Sequence, residues 1–264
     1  MNKTGVTLAD VQGVYSGAEG RLWELIMGEQ IHAGGFASSM ELATRAGIEP
    51  GWKGIDLCSA LGAGCRFLVG NFKAVMCGVD ATPHMVEEAR RRAPLAEWGI
   101  EFKLGDVLDI PYPAGVFDFV WGEDAWCYVT DKDKLVAEAA RVLRPGGTIA
   151  FTDWVEGPAG LTEAEALRFN TFMKFPDLQS IAGYRGLLER HGFEVRESGQ
   201  IEFGKYIDLY LSMLTEQLTF DALRIVGNDM AVFQGLGAEM ADMRQKVHAG
   251  KITRGRFIGT KKAR

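Results

Sequence analysis

The sequence predicts an α/β domain built on a doubly wound, mostly parallel sheet, and three observations carry that prediction. From residue 54 onward, short β-rich runs alternate with helical ones, the pattern of a sheet covered by helices on both faces. The chain has 264 residues, 47% hydrophobic and 24% charged, which is ordinary globular composition and fits one large core. Small and acidic residues recur at the carboxyl ends of successive strands, where open sheets of this kind bind their ligands.

Gly54 to Cys58 reads as the first strand, an apolar run stopping at a small-residue turn, with a helix continuing over Gly64 to Gly70. Ala74 to Asp80 is a second buried strand closed by an acidic residue. Thr82-Pro83 opens a helix over His84 to Ala93, because proline suits the first helical turn, and Pro94 ends it. Ile100 to Asp106 is the third strand and Phe117 to Trp121 the fourth, with the turn-rich segment 111–115 between them. Leu135, Ala139, Val142 and Leu143 share one face of a helix over Asp131 to Leu143, which Pro145-Gly146-Gly147 stops. Thr148 to Trp154 is the fifth strand, Leu178 to His191 a helix ended by Gly192, and Phe193 to Ser198 the sixth strand. Residues 206–249 interrupt the alternation. Ile207, Leu211, Leu214 and Leu218 stand at helical spacing there, with further helical signal from Ala238 to His248. Ile252 to Thr260 supplies a seventh strand. One domain over 1–264 follows: an N-terminal helical arm (1–47), a ligand-binding core (48–200), and a helical cap insertion with the last strand (201–264).

A formal net charge of −6 leaves no broad basic stripe for phosphates, so nucleic acid is not an expected partner. The runs Arg90-Arg91-Arg92 and Lys261-Lys262-Ala263-Arg264 read as a solvated helix face and a terminus. Cys58, Cys65, Cys77 and Cys127 form no CxxC pair, and the histidines at 32, 84, 191 and 248 are scattered. Neither a metal centre nor a disulfide framework is expected, and reduced thiols in the cytoplasm are. No leader-like N-terminus and no apolar stretch of about 18–20 residues suggests a membrane partner.

The chemistry should sit at the strand ends. Cys58-Ser59-Ala60-Leu61-Gly62-Ala63-Gly64 is a turn of small residues that opens a helix, so backbone N–H groups can approach a ligand closely. Asp80 stands where an acidic side chain can accept both hydroxyls of a ribose, although it could instead cap the next helix beside Thr82. The carboxylate and backbone of Gly105-Asp106-Val107-Leu108 could read an adenine edge, and Trp121-Gly122-Glu123-Asp124 turns from apolar to acidic at the fourth strand end. Together these ends point to a nucleoside site.

Residues of about 10 to 200 resemble the class I S-adenosylmethionine-dependent methyltransferases, with their Rossmann-like fold. The resemblance is carried by Phe117-Asp-Phe-Val-Trp-Gly-Glu-Asp-Ala-Trp-Cys-Tyr-Val-Thr-Asp-Lys132, Ala140-Arg-Val-Leu-Arg-Pro-Gly-Gly147 and Ala150-Phe-Thr-Asp-Trp154. These stretches look like the small-molecule subgroup containing sarcosine/dimethylglycine, tocopherol and sterol methyltransferases. Met27-Gly-Glu-Gln-Ile-His-Ala-Gly-Gly35 is similar to that subgroup's N-terminal segment, which folds over the cofactor. The resemblance implies S-adenosylmethionine as cofactor and S-adenosylhomocysteine as product. It implies that Ser59, Ala60 and Gly62 line the methionine end and that Asp80 holds the ribose, followed by Ala81 and Met85. It further implies that Asp106 and Val107 hold the adenine, Glu123 edges the transfer site, and Ile31, His32 and Gly34 approach from the arm. Two positions depart from the pattern: Cys58 and Ala60 stand where the family usually has glycine, and Tyr128 where close relatives often have histidine.

Methyl transfer from a sulfonium needs alignment and a dry site, and a base only if the acceptor must lose a proton first. His32 is the foremost base candidate, or else a tether of the arm; Glu123 and Tyr128 are lesser catalytic candidates or positioning groups. Tyr15, Trp23, Trp126, Tyr128, Trp154, Phe172, Phe175 and Tyr184 could form an aromatic cage for an ammonium, or pack the core and lid. Arg168 and Arg185 could meet an acceptor carboxylate or simply face solvent. The leading expectation is N-methylation of an amino-acid-like amine, with C- or O-methylation of a prenyl or aromatic product, or a non-catalytic nucleoside-binding module, as alternatives. A nicotinamide-dependent oxidoreductase would want a third glycine where Phe67 stands. The insertion could equally build a homodimer interface.

Overall fold

Seven strands form one sheet: β1 (Lys53–Leu57), β2 (Val75–Asp80), β3 (Glu101–Leu104), β4 (Phe117–Glu123), β5 (Leu143–Glu156), β6 (Phe193–Ile201) and β7 (Ile252–Lys261). Their spatial order is β3-β2-β1-β4-β5-β7-β6. Strands β1 to β5 run parallel, and β7 inserts antiparallel between β5 and β6. This is a computed structural model, and it describes residues 4–263, so residues 1–3 of the expected arm and Arg264 of the basic tail lie outside the described residues.

The central strands are apolar along nearly their whole length because both faces are covered. One face carries the core around Ile55, Leu57, Val120, Leu135 and Phe151, and the other the core around Leu68, Phe102, Phe119, Trp121 and Ala150. The helices that cover them are α4 (Ala63–Phe72), α5 (Pro83–Arg92), the short α6 (Leu95–Trp98), α7 (Lys132–Val142) and α9 (Ile181–Arg190). Strand order reverses at β1, which lies between β2 and β4, and the crevice beyond that reversal is where a doubly wound sheet places its ligand.

The arm is three helices, α1 (Leu8–Ser16), α2 (Ala18–Met27) and α3 (Gly35–Ala46). A Thr7/Asp10 capping box starts α1. The Gln12 side-chain amide donates to the Ala81 carbonyl at 2.7 Å, which fixes α1 across the strand ends. Leu42, Ala43 and Ala46 of α3 pack into the sheet core. The cap comprises α8 (Glu163–Met173), α10 (Gly204–Ser212), a π turn (Met213–Gln217), α11 (Thr219–Ile225) and α12 (Met230–His248). A third apolar cluster, including Leu22, Ile26, Met173, Ile207, Leu214 and Met240, binds the cap to α2.

Several boundaries differ from the sequence expectation for physical reasons. Helix α8 lies where no element was expected; its Thr162/Glu165 capping box is legible, but only Phe169, Asn170 and Met173 are buried, too few for a clear apolar stripe. The helix expected from Leu178 begins at Ile181, where the Ser180 hydroxyl caps the Gly183 N–H. β5 runs longer than its apolar core because β7 pairs with it from Thr148 to Glu156. Among the described residues no helix is long and apolar enough to cross a membrane, and no group of three or more His, Cys, Asp or Glu could hold a metal ion.

Candidate functional site

The ends of β1, β2 and β4, with the turn after β3, open onto one cleft roofed by α1 and the 29–32 segment. Of the expected residues, Ile31, His32, Ser59, Ala60, Asp80, Ala81, Asp106, Val107, Glu123 and Tyr128 all line it. Gly34, Gly62 and Met85 do not. Gly34 opens α3 with φ +86 and faces Tyr206, whose ring lies 2.9 Å from where a Cβ would stand. Gly62, at φ +72, packs equally closely on Phe102, and the Met85 side chain is buried beneath the cleft. The glycine at 62 therefore serves helix packing, not ligand approach.

The walls of the cleft hold strained backbone. Ile31, Cys58, Ala60 and Asp124 adopt φ of 41, 63, 42 and 52, and all four line it. A non-glycine residue in this region costs about 1–2 kcal/mol, so the surrounding structure must hold each one. Asp80 does so at the first turn: its Oδ2 accepts the Ala60 N–H at 2.9 Å and its Oδ1 accepts the Thr82 N–H at 2.8 Å. The ribose-binding and helix-capping alternatives for Asp80 are compatible, because each carboxylate oxygen keeps a second acceptor site. Asp106 accepts the Leu108 N–H at 2.8 Å and stands exposed at the rim.

The cleft is acidic. Glu29, Asp56, Asp80, Asp106, Glu123 and Asp124 line it, and among the described residues no lysine or arginine does. Burial, then the charge of Glu123, pushes the Asp56 carboxyl well above the ordinary carboxylate range. Burial also raises Asp80, against the N–H groups that favour its charged form. Such a lining favours a cationic ligand and disfavours one with a phosphate chain. S-adenosylmethionine meets that test, since its sulfonium and ammonium outweigh its one carboxylate. The residues that would hold it are Asp80 at the ribose, Asp106 and Val107 at the base, and the 58–60 turn with Asp56 at the amino-acid end.

At the transfer end, the Ser39 hydroxyl donates to Glu123 at 2.9 Å and the Trp121 indole N–H donates to Glu123 at 3.1 Å. His32 is 2% exposed. Its Nε2 lies 3.1 Å from Ser39 Oγ and 3.4 Å from Glu123, and its Nδ1 faces the Ala33 carbonyl at 3.4 Å. Both ring nitrogens are thus turned to protein groups, which is the geometry of the tether and not of a base facing an acceptor. Tyr128 stacks edge-on against Tyr15 and Phe175, with ring centroids 5.4 and 4.8 Å away. Burial raises the Tyr15 and Tyr128 phenols above their usual value. A raised phenol keeps its proton, which disfavours Tyr128 as a base.

Four residues at the site escaped the sequence reading of roles. Asp56 lies mid-strand, where an acidic residue in an apolar run was the available signal. Asp124 adjoins Glu123, and its Oδ2 accepts the Ala33 N–H at 2.9 Å. Tyr15 was visible only as one aromatic among many, and Arg254, paired to Asp124, comes from the far end of the chain without any local signal. Conversely, Arg168 pairs with Glu239 and Asp242, and Arg185 with Glu189, all on the surface, so neither reaches an acceptor. His191 and His248 bond Asp133 and Asp208 away from the cleft.

Comparison with known proteins agrees with this geometry. Residues 55–151 match the family described as Methyltransferase domain. A phosphoethanolamine N-methyltransferase of Triticum aestivum is 26% identical over 246 residues, covering 90% of this chain and 47% of that protein. The chain thus spans about half or less of the curated relatives' length. Among solved structures, Haemonchus contortus phosphoethanolamine N-methyltransferase 2, in complex with phosphomonomethylethanolamine and S-adenosylhomocysteine, superposes with a TM-score of 0.82 at 20% identity, over 96% of this chain and 59% of that one. The mycolic acid cyclopropane synthase CmaA1, complexed with S-adenosylhomocysteine and CTAB, gives 0.82 at 17% identity over 96% and 98% of the two chains. Residues 55–151 are thus similar to a methyltransferase domain, and the sheet has the Rossmann-like fold of the superposed structures.

Proposed function

We propose that this methyltransferase-domain protein transfers a methyl group from S-adenosylmethionine to the nitrogen of a small-molecule amine. The single observation that carries the reading is the acidic cleft at the reversal of strand order, lined by no lysine or arginine among the described residues and continuous with an aromatic compartment that holds Asp124. S-adenosylmethionine, when bound, supplies a methyl already activated by its sulfonium; the amine lone pair forms the N–C bond, the S–C electron pair stays on sulfur, and the N–H proton leaves to solvent.

The residues of this chain then have defined work. Asp80, Asp106 and the 58–60 turn hold and orient the donor, while α1 and the 29–32 segment exclude water. Tyr15, Tyr128 and Asp124 face the acceptor nitrogen. Aromatic faces stabilise the positive charge that builds on the nitrogen as the N–C bond forms. No free base faces the compartment, since His32 is tied to Ser39 and Glu123 and Tyr128 keeps its proton. That supports an amine that has ceded its proton to solvent and reacts as the neutral form, ahead of a phenol, whose reactive form is an anion that the acidic lining disfavours, or an alkene, whose cationic adduct must lose a proton to a base. The mildly anionic surface and unpaired thiols support a cytoplasmic protein without a nucleic-acid partner. Phe220, Met230 and Val232, exposed on the cap, are the face by which a homodimer would form.

The test is calorimetric binding of S-adenosylmethionine together with S-adenosylhomocysteine release against amines, phenols, thiols and prenyl compounds. Turnover confined to amines supports the reading. Turnover of phenols or prenyl compounds alone replaces it, and cofactor binding with no turnover of any class leaves a non-catalytic module.

A further inference from the structure

Beyond the transfer end, the cleft leads into apolar space. A compartment walled by Tyr15, Trp23, Tyr128, Trp154 and Phe175, with Asp124 at its edge, shares Tyr15, Ile31, Asp124 and Tyr128 with the cofactor cleft. Trp23 and Met173 are common to this compartment and to a further, partly open cavity of about 40 Å³, lined by Leu22, Ile26, Phe172, Leu214, Leu236 and Met240. That cavity lies between α2, α8, α12 and the π turn, and the π turn is what carries Leu214 into its wall. Glu19 is its one ionisable lining residue, and it is exposed. Across all three spaces no lysine or arginine among the described residues lines the wall.

An anionic group buried here would meet no lining cation among the described residues, and Arg254 is already paired to Asp124, which disfavours a phosphate or carboxylate on the acceptor. An apolar body would instead displace water from an aliphatic wall. We propose that the acceptor is an amphipathic amine, with its amino group in the aromatic compartment beside Asp124 and its alkyl or ring body in the cavity under the cap. This rests on the methyl-transfer reading above and narrows its acceptor.

The experiment uses the full chain. S-adenosylhomocysteine release is measured with n-alkylamines from ethyl to decyl, and with phosphoethanolamine, glycine and sarcosine alongside. Direct calorimetric binding of the same amines in the presence of S-adenosylhomocysteine reads the cavity without turnover. The expected result is kcat/KM and affinity rising about fourfold per methylene until the cavity is filled, the scale of methylene burial, with the anionic amines poorer by at least about a hundredfold. Leu236 is only half-buried on α12, so Leu236→Lys should fold; it should flatten the chain-length dependence while leaving cofactor affinity unchanged. A flat dependence in the unsubstituted protein, better turnover of phosphoethanolamine or glycine, or intact cofactor binding with no amine methylated would each overturn the amphipathic acceptor. Failure to bind S-adenosylmethionine at all would instead overturn the reading on which it rests.

Discussion

Arg254 and Asp124 form a buried ion pair, Nε to Oδ1 at 2.7 Å, with each side chain 1% exposed. The pair joins three parts of the chain: Arg254 also donates to Ser38 of the arm and Thr152 of β5, and Asp124 receives the Ala33 N–H. Asp124 sits at φ +52 beyond β4, so the pair also holds a strained turn at the transfer end.

Arg254→Met should therefore destabilise the fold by about 3–5 kcal/mol, because it leaves the Asp124 carboxylate buried and unpaired. Chemical denaturation measures this. A loss below about 1 kcal/mol would mean that water reaches Asp124 and that the arm is held by other contacts.

Asp80→Ala should weaken S-adenosylmethionine binding by about 1–3 kcal/mol, the scale for losing charge-assisted hydrogen bonds. The substitution also strips the acceptor from the Ala60 and Thr82 N–H groups, so both turns that form the cleft should loosen. Unchanged affinity in calorimetry would refute the role.

Cofactor affinity should fall as pH is lowered. Asp56 is raised well above the usual range by burial and by Glu123, so it takes up a proton early on acidification. A cationic cofactor favours the carboxylate, so the protonated form must release a proton to bind, and affinity is lost as pH falls through the raised pKa. Calorimetry between about pH 8 and about pH 5 should show this slope, and Asp56→Asn should reduce it. An identical slope in that variant would assign the titration elsewhere.

Ala60→Gly should stabilise the protein. Removing the Cβ at φ +42 relieves about 1–2 kcal/mol of left-handed strain, offset by about 0.5–1 kcal/mol of added chain entropy. A lower denaturation midpoint in the glycine variant would show that the alanine methyl makes a packing contact worth more than the strain.

His32→Ala should cost turnover less than about tenfold at saturating substrate, since a general base contributes about 10²–10⁴ and this imidazole faces Ser39 and Glu123. The variant should instead lose stability. A loss above a hundredfold with cofactor affinity intact would return His32 to the chemistry.

The acidic strand ends were legible because their signals are local. Asp80, Gly105-Asp106 and Glu123-Asp124 each close a short apolar run, and the run's period declares the strand. That was enough for the α/β fold and its seven strands; of the expected site residues Gly34, Gly62 and Met85 lie off the cleft, while Asp56 and Tyr15 line it without having been assigned a role there. Glycines mislead in such turns because sequence does not say whether the missing Cβ makes room for a ligand or, as at Gly62, for Phe102.

By itself the sequence determined the alternation of strands and helices, the acidic character of the site and the cofactor class it resembles. Tertiary structure decided what those groups do. Arg254 reaches Asp124 only because β7 runs antiparallel beside β5, a pairing that no local period encodes. His32 meets Ser39 and Glu123 only because α3 brings Ser39 between them. The apolar cavity exists only where α2, α8 and the cap converge, each supplying one side of a wall that no single helix could announce. Local interactions set secondary structure within a few residues, whereas burial, charge pairing and cavity shape depend on segments that meet only after the chain has folded.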